Sequence, residues 1–294
     1  MKISFCKFHG FGNDYIVIET DELKSIENLG EFSKKICHRH TGVGGDGIAV
    51  LEKLKTEADY SCRIINPDGS EAGFSGNGTR CAVAYLDYKN LFSNENLKLR
   101  TKSGDKNYQL LKRDENTFWF LAELGKPKFD LPGASEIKSS LPKEFREMPI
   151  VSNIVLPGLG IVIKNFVFVD VGNPVTCVFV KDFNQYDWRV VGRAIENTTA
   201  MFSNRTNVVF VKILDRENIE IRIWERGAGE TASSGTCSIA AAVASIFTGQ
   251  TGRKVSVNAP GGVTEAVWRE DDEMMITGRA DLAFCGEFYL QPHR

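Results

Sequence analysis

No stretch of the 294-residue chain carries about 18 apolar residues in a row, so no transmembrane helix is expected. The opening residues, Met1-Lys2-Ile3-Ser4-Phe5-Cys6, lack the long apolar core of a signal peptide. Neither sign of charge dominates. Lys and Arg number 36 against 38 Asp and Glu, and a net charge of −2 gives no reason to expect nucleic acid or an anionic membrane as a partner. Cys-x-x-Cys pairs are missing although cysteine occurs seven times, at 6, 37, 62, 81, 177, 237 and 285. An odd number without a secretory signal reads as free, reduced thiols in a cytoplasmic protein. Histidine is scarce, and none of the four is placed to hold a metal from one helix face. The glycine-rich run Thr41-Gly42-Val43-Gly44-Gly45-Asp46-Gly47 is not followed by Gly-Lys-Ser or Gly-Lys-Thr, which excludes a nucleotide loop. No metal is expected.

What the chain does contain is an internal repeat. Arg63-Ile64 and Glu71-x-x-x-Ser75-Gly76 recur as Arg222-Ile223 and Glu230-x-x-x-Ser234-Gly235 at a constant offset of 159 (234 − 75), without a gap. In each copy a short apolar strand gives way to a Gly-rich turn, then Ser-Gly, then an apolar helical run. Those runs are Cys81-Ala82-Val83-Ala84-Tyr85-Leu86 and Ile239-Ala240-Ala241-Ala242-Val243-Ala244. Two copies are too few for a solenoid, so the repeat implies a duplicated domain with one site between the halves. Ser before an apolar helical run is a favoured N-cap. The free N–H groups of a helix start, at the positive end of its dipole, suit an anion such as a carboxylate. Both serines also have a plainer reading as ordinary caps on buried helices.

Along the chain, strands are expected at residues 3–8, 15–18, 48–51, 97–101, 108–111 and 118–121, with an amphipathic helix at 29–38. Pro127, Pro132, Pro142 and Pro149 in mixed charge make 125–150 the expected linker. The second half repeats the pattern, with strands at 166–171, 177–180, 207–211, 219–224 and 255–257 and a helix at 186–197. Two last strands are expected near 274–277 and 286–290, packing back on the first half. The expected division is 1–124 plus 278–294 for one half and 125–277 for the other.

Several motifs then carry a resemblance. They are Phe8-His9-Gly10-Phe11-Gly12-Asn13-Asp14-Tyr15, His40-Thr41-Gly42-Val43-Gly44-Gly45-Asp46, Asn66-Pro67-Asp68-Gly69-Ser70-Glu71, Gly76-Asn77-Gly78-Thr79-Arg80-Cys81, Gly172-Asn173-Pro174 and Glu225-Arg226-Gly227-Ala228-Gly229-Glu230-Thr231. In this order, over nearly the whole chain, they resemble diaminopimelate epimerase. The resemblance implies an α/β protein of two pseudo-symmetric domains, each a curved, mostly antiparallel sheet wrapped around a central helix. It implies inversion of an amino acid's α-carbon without a cofactor (LL- to meso-diaminopimelate, toward lysine and peptidoglycan), by two cysteines that take and return a proton. It also implies a small-molecule amino-acid substrate, a possible homodimer and a cytoplasmic location.

Carried onto this sequence, the two acid–base positions are Ser75 and Ser234, both serine where the family has cysteine. The helix starts at Gly76-Asn77 and Gly235-Thr236 would hold the α-carboxylate. Asn66, Asn207, Glu225 and Arg226, with Asn13 and Asn173 nearby, would bind the rest of the substrate, Arg226 the distal carboxylate and Glu225 the distal ammonium. Two further positions depart from the family: Val175 replaces the histidine after Gly-Asn-Pro, and Gly47 replaces the glutamine closing the glycine loop. A double Cys→Ser replacement in an active enzyme leaves those two unexplained, whereas a natural divergent member accounts for all four. A serine hydroxyl is a far weaker acid than a thiol, and the sequence shows no obvious base beside either one. Cys237 is a candidate substitute thiol one turn after Ser234, and a buried core cysteine is its plainer meaning. An epimerase with an altered or silent acid–base pair is therefore weighed against a lyase or double-bond isomerase on the same scaffold, and against a non-catalytic amino-acid-binding paralogue.

Overall fold

The computed structural model describes residues 2–92, 96–129, 154–156, 159–163, 166–199, 201–202 and 205–290, so most of the expected linker lies outside the described residues. Two compact units are formed, Met1–Glu123 with Thr277–Arg294, and Leu124–Ile276. In chain order the first supplies β1 (Lys2–Gly10), β2 (Asn13–Glu19), α1 (Leu29–Ile36), β3 (Gly47–Lys53), β4 (Tyr60–Ile65), β5 (Glu71–Ala72), α2 (Gly76–Tyr88), β6 (Asn96–Thr101), β7 (Gly104–Asp114) and β8 (Thr117–Gly125). Next come β9 (Ile154–Leu156), β10 (Ile161–Ile163), β11 (Phe166–Asp170), β12 (Pro174–Phe179), α3 (Trp188–Glu196), β13 (Asn207–Ile213), β14 (Asn218–Glu225), β15 (Gly229–Thr231), α4 (Gly235–Phe247), β16 (Lys254–Ala259) and β17 (Gly262–Trp268). The chain closes with β18 (Met274–Tyr289).

The two units repeat one topology. In the first, β1–β2 is antiparallel, β2–β3 parallel, β3–β4 antiparallel, β4–β6 parallel and β6–β7 antiparallel. The second runs through the same directions in β11–β12, β12–β13, β13–β14, β14–β16 and β16–β17. In the first unit β8 pairs with β18 and β18 with β1, which closes the eight strands on themselves. Closure leaves none of these eight strands at an open end of the sheet.

Each unit wraps its sheet around a helix with no solvent face. Residues Gly76 to Leu86 of α2 and Gly235 to Ser245 of α4 are all buried, and α4 carries Ala240, Ala241, Ala242 and Ala244 at 0% exposure. A helix apolar all round belongs inside a core, and alanine is both the best helix former and small enough for strands to approach from every side. Ser75 and Ser234 start these helices from extended backbone, each accepting the N–H three residues on. The amphipathic helices lie on the sheets instead. Phe32 and Ile36 of α1 pack on Ile16, Ile18 and Ile48, and Trp188, Val191 and Ile195 of α3 on Phe168, Val208 and Phe210. Each such side chain contributes about 1.5–3 kcal/mol by leaving water.

Two expectations are corrected. The last strands are one continuous strand, β18, which pairs with β1 from Asp281 to Tyr289 and passes a buried arginine at Gly278, where a Cβ would lie 2.5 Å from Cζ of Arg80. Nor are all seven cysteines free. The antiparallel register of β1 on β18 puts Cys6 directly opposite Cys285, and the two are joined as a disulfide across a sequence separation of 279. The remaining five, Cys37, Cys62, Cys81, Cys177 and Cys237, are free and buried.

Candidate active site

In the first unit the start of α2 is the end of a polar chain. Arg80, 1% exposed, donates from Nη1 to Oδ1 of Asn77 at 2.9 Å. The Asn77 amide donates in turn to Oδ1 of Asn13 (3.2 Å), and the Asn13 amide to Oδ2 of Asp46 (2.8 Å). Arg39 grips Asp14 with both terminal nitrogens, at 3.0 and 2.7 Å, and Asp46 at 2.7 Å, while Lys7 pairs with Asp14 at 2.7 Å. With an obligate donor at one end and a carboxylate at the other, the chain fixes which way both amides point. Two residues that the resemblance assigns to substrate, Asn13 and Asn77, are thereby brought together. Asn66 lies apart from this chain, on the turn after β4, and its amide holds Ser70 Oγ at 2.9 Å.

Burial works against the charge on Asp14, but the hydrogen bonds from Arg39 and Lys7 outweigh it and hold the carboxyl down at about 2. Burial and the neighbouring Asp14 charge push Asp46 the other way. An unfolded Asp titrates near ~3.9, so Asp14 gives stability that is fully present above that pH and is lost as pH falls toward 2. Thermal melts from pH 5 to 2 are expected to drop steeply in the parent, and the Asp14→Asn variant to show a shallower acid limb from a lower plateau.

Ser75 Oγ accepts the Gly78 N–H at 3.1 Å and shares a 2.9 Å hydrogen bond with the Tyr15 hydroxyl. In the second unit Ser234, 5% exposed, donates to Oε2 of Glu225 at 2.9 Å, and Thr231 donates to the other carboxylate oxygen at 2.8 Å. Ser234 Oγ also lies 3.2 Å from Thr236 Oγ1. The expectation that no base stands beside either serine is therefore wrong for Ser234. Glu225 precedes it by nine residues, and the β14–β15 turn folds that carboxylate back onto the helix start.

The turn itself is anchored by Glu196, 5% exposed, which accepts from Trp224 Nε1 (2.8 Å), the Gly227 N–H (3.1 Å) and Arg205 (2.9 Å). Asn207 accepts the Arg226 N–H at 2.9 Å, which joins two more of the expected binding residues. Burial lowers the pKa of the Arg226 guanidinium, with Arg205 adding to the effect and Glu196 opposing it. Asn173 and Val175 flank Pro174 at the start of β12, and Val175, fully buried, is the direct parallel neighbour of Asn207. Cys237 does not stand in for the thiol that the resemblance implies at Ser234: it is wholly buried, and burial pushes its pKa well up, away from a reactive thiolate. Cys81 is buried likewise.

Sequence reasoning missed Tyr15, Glu196 and the Asp14–Arg39–Asp46 cluster. Tyr15 had one available signal, a hydroxylated aromatic directly after the Asn13-Asp14 break. Glu196 had none, being an acidic residue on an amphipathic helix.

Two α/β units of one topology, each built on a buried helix that starts with a serine hydroxyl in a polar setting, define a duplicated protein with one such helix start per half. The sequence profile of the family described as Diaminopimelate epimerase matches residues 5–129 and 167–283. The chain is 35% identical to a diaminopimelate epimerase of Pelotomaculum thermopropionicum over 97% of its own length and 98% of the relative's. It is also 35% identical to one of Halothermothrix orenii over 99% of each chain. Among solved structures, a probable proline racemase from Agrobacterium radiobacter shares the fold with a TM-score of 0.71 at 15% identity, covering 99% of this chain and 94% of that one. The chain belongs to the diaminopimelate epimerase family.

Proposed function

We propose that the protein is a cofactor-independent isomerase that inverts an α-carbon of diaminopimelate, interconverting the LL and meso forms. The observation that carries this beyond family membership is the Ser234–Glu225 pair. A hydroxyl at a helix start, bonded to a carboxylate, is a group that can pass on a proton it receives. Ser75 and Ser234 hold the two acid–base positions. The α-carboxylate goes to the N–H groups at Gly76, Asn77, Gly235 and Thr236, where negative charge developing on the carbanion is also stabilised. Asn66, Asn207 and Arg226 serve the distal amino-acid group, with Asn13 and Asn173 beside the α-carbon end. Glu225, engaged by Ser234, acts as the base behind that hydroxyl in preference to a distal ammonium site. Among the described residues no helix is long and apolar enough to cross a membrane. Action in the cytoplasm and assembly as a homodimer belong to the same proposal, and light scattering reads the second.

Incubation of the pure protein with meso-diaminopimelate in deuterium oxide tests the reading, with α-deuterium and the LL isomer as the expected products. Loss of water or a shifted double bond would make it a lyase or double-bond isomerase, and binding without change an amino-acid-binding protein. Arg226→Ala is expected to weaken binding of diaminopimelate about 10- to 100-fold, the equivalent of roughly 1.5–3 kcal/mol for a charge-assisted pair. Titration calorimetry set beside a thermal melt checks it, since equal affinity in variant and parent would assign Arg226 to structure.

A further inference from the structure

The two serines correspond by the 159-residue offset, and so do Asn66 and Glu225. Their partners do not correspond. Ser234 is bonded to Glu225, whereas the Asn66 amide turns to Ser70 and Ser75 is met by the hydroxyl of Tyr15 at 2.9 Å. Tyr15 is 6% exposed, and two missing side chains make room for its ring. A Cβ at Gly47 would stand 2.8 Å from Tyr15 Cε1 and 2.9 Å from the Ile65 carbonyl oxygen, and one at Gly78 would stand 2.9 Å from Tyr15 Cε1. Gly47 is the direct parallel neighbour of Tyr15 across β2 and β3, and Gly78 supplies the N–H that caps Ser75 Oγ. The equivalent register in the second unit pairs Val175 with Asn207. There the place of Tyr15 holds an apolar side chain. The phenol therefore belongs to one half alone, and the bare position at 47 lets it in.

We propose that Tyr15 is the proton-relay partner of Ser75, the positioning residue that lets this hydroxyl do the work of an acid and a base. The proposal rests on the epimerase reading above and deepens it. When the substrate carbanion is reprotonated, the Ser75 O–H gives its proton to carbon while the Tyr15 O–H gives its own to Ser75 Oγ. Serine ends neutral, and the negative charge has passed from carbon to the phenolate. In reverse, the phenolate takes the serine proton as Oγ takes the α-proton, so protons and charge balance without a further reactant. A phenol titrates near ~10 and a thiol near ~8.5, whereas an alkyl hydroxyl lies far above both. At Ser75, Tyr15 is thus the group closest in acidity to the thiol that the family places there. The serines then differ in kind, one backed by an acid and the other by a carboxylate, which suits donation at Ser75 and acceptance at Ser234.

Two measurements test this. The first needs no substrate. In a Ser75→Cys variant the thiol is titrated by the pH dependence of its alkylation rate, with and without Tyr15→Phe. A thiolate that accepts the phenolic hydrogen bond loses that stabilisation in the double variant, so its pKa is expected to rise by roughly 1–2 units. Both variants keep Asp14, Asp46, Arg39 and Lys7, so the charges around β2 cancel in the comparison. An unchanged titration would overturn the proposal. The second uses meso-diaminopimelate. Tyr15→Phe keeps the ring in its slot and is expected to lower kcat about 100-fold with KM within about twofold. Adding Tyr15→Phe to Ser75→Ala should cost nothing further, because the two act as a unit. Retention of the parent kcat by Tyr15→Phe would also overturn the proposal. If the titration shows the coupling while the parent leaves diaminopimelate untouched, the substrate assignment falls and the Tyr15–Ser75 relay stands.

Discussion

Joint replacement of Ser75 and Ser234 by cysteine is expected to raise α-proton exchange on diaminopimelate by two orders of magnitude or more over the parent. Each hydroxyl already sits where a helix start lowers a thiol's pKa. Ser75 Oγ takes the Gly78 N–H and Ser234 Oγ the Cys237 N–H, and either bond would go to a thiolate. A thiol so placed ionises near neutral pH, which a hydroxyl does not. General acid–base catalysis contributes typically 10²–10⁴-fold per group. Either single replacement should do much less for inversion, because the other position would still lack a group of matched acidity, although slow exchange with retention remains open to it. Adding Val175→His to the double variant should raise the rate again by placing beside Asn207 the imidazole that the resemblance implies there. Deuterium wash-in at the α-carbon, followed by NMR, gives the rates of the parent and of every variant. A double variant that binds diaminopimelate as tightly as the parent and exchanges no faster would show that the serines do not limit the rate in place of the cysteine pair that the resemblance implies.

The two copies of Glu-x-x-x-Ser-Gly located both buried helices, because a cap followed by an all-apolar run is local chemistry written in adjacent residues. The strand order is set by pairings that are not legible in the sequence. Other features depend on residues that meet only after the sheets form. Tyr15 reaches Ser75 because β2 and β3 align it with Gly47, and nothing in Asn13-Asp14-Tyr15 marks that neighbour. Cys6 and Cys285 stand at nearly opposite ends of the chain and meet only through the register of β1 on β18. The stretch between residues 277 and 286 is expected to separate two strands, and is continuous only because β18 pairs with β1 from Asp281 to Tyr289. Glu225 is expected from the sequence as a binding residue, but its hydrogen-bond partner is not legible there. The resemblance assigned it to a distal ammonium, whereas the fold of β14 onto β15 turns it to Ser234.

Those two roles for Glu225 make opposite predictions, and Glu225→Gln decides between them. The amide keeps the shape and an oxygen acceptor for Thr231 or Ser234, so the β14–β15 turn should hold and the melting temperature change little. What is lost is the ability to take a proton from the serine. As a base behind Ser234, the substitution is expected to lower kcat by about 10²–10⁴-fold with KM within a few-fold. The acid limb of the rate profile should go with it: in the parent the rate falls as pH drops and the carboxylate is protonated, and a glutamine has nothing to protonate. As an ammonium site, the same change would raise KM and leave kcat near the parent value, because the contact would be equally strong in ground state and transition state. Single-turnover exchange rates at saturating diaminopimelate isolate the chemical step. A Glu225→Gln variant that exchanges at the parent rate once saturated would remove the base from Ser234 and return Glu225 to substrate binding.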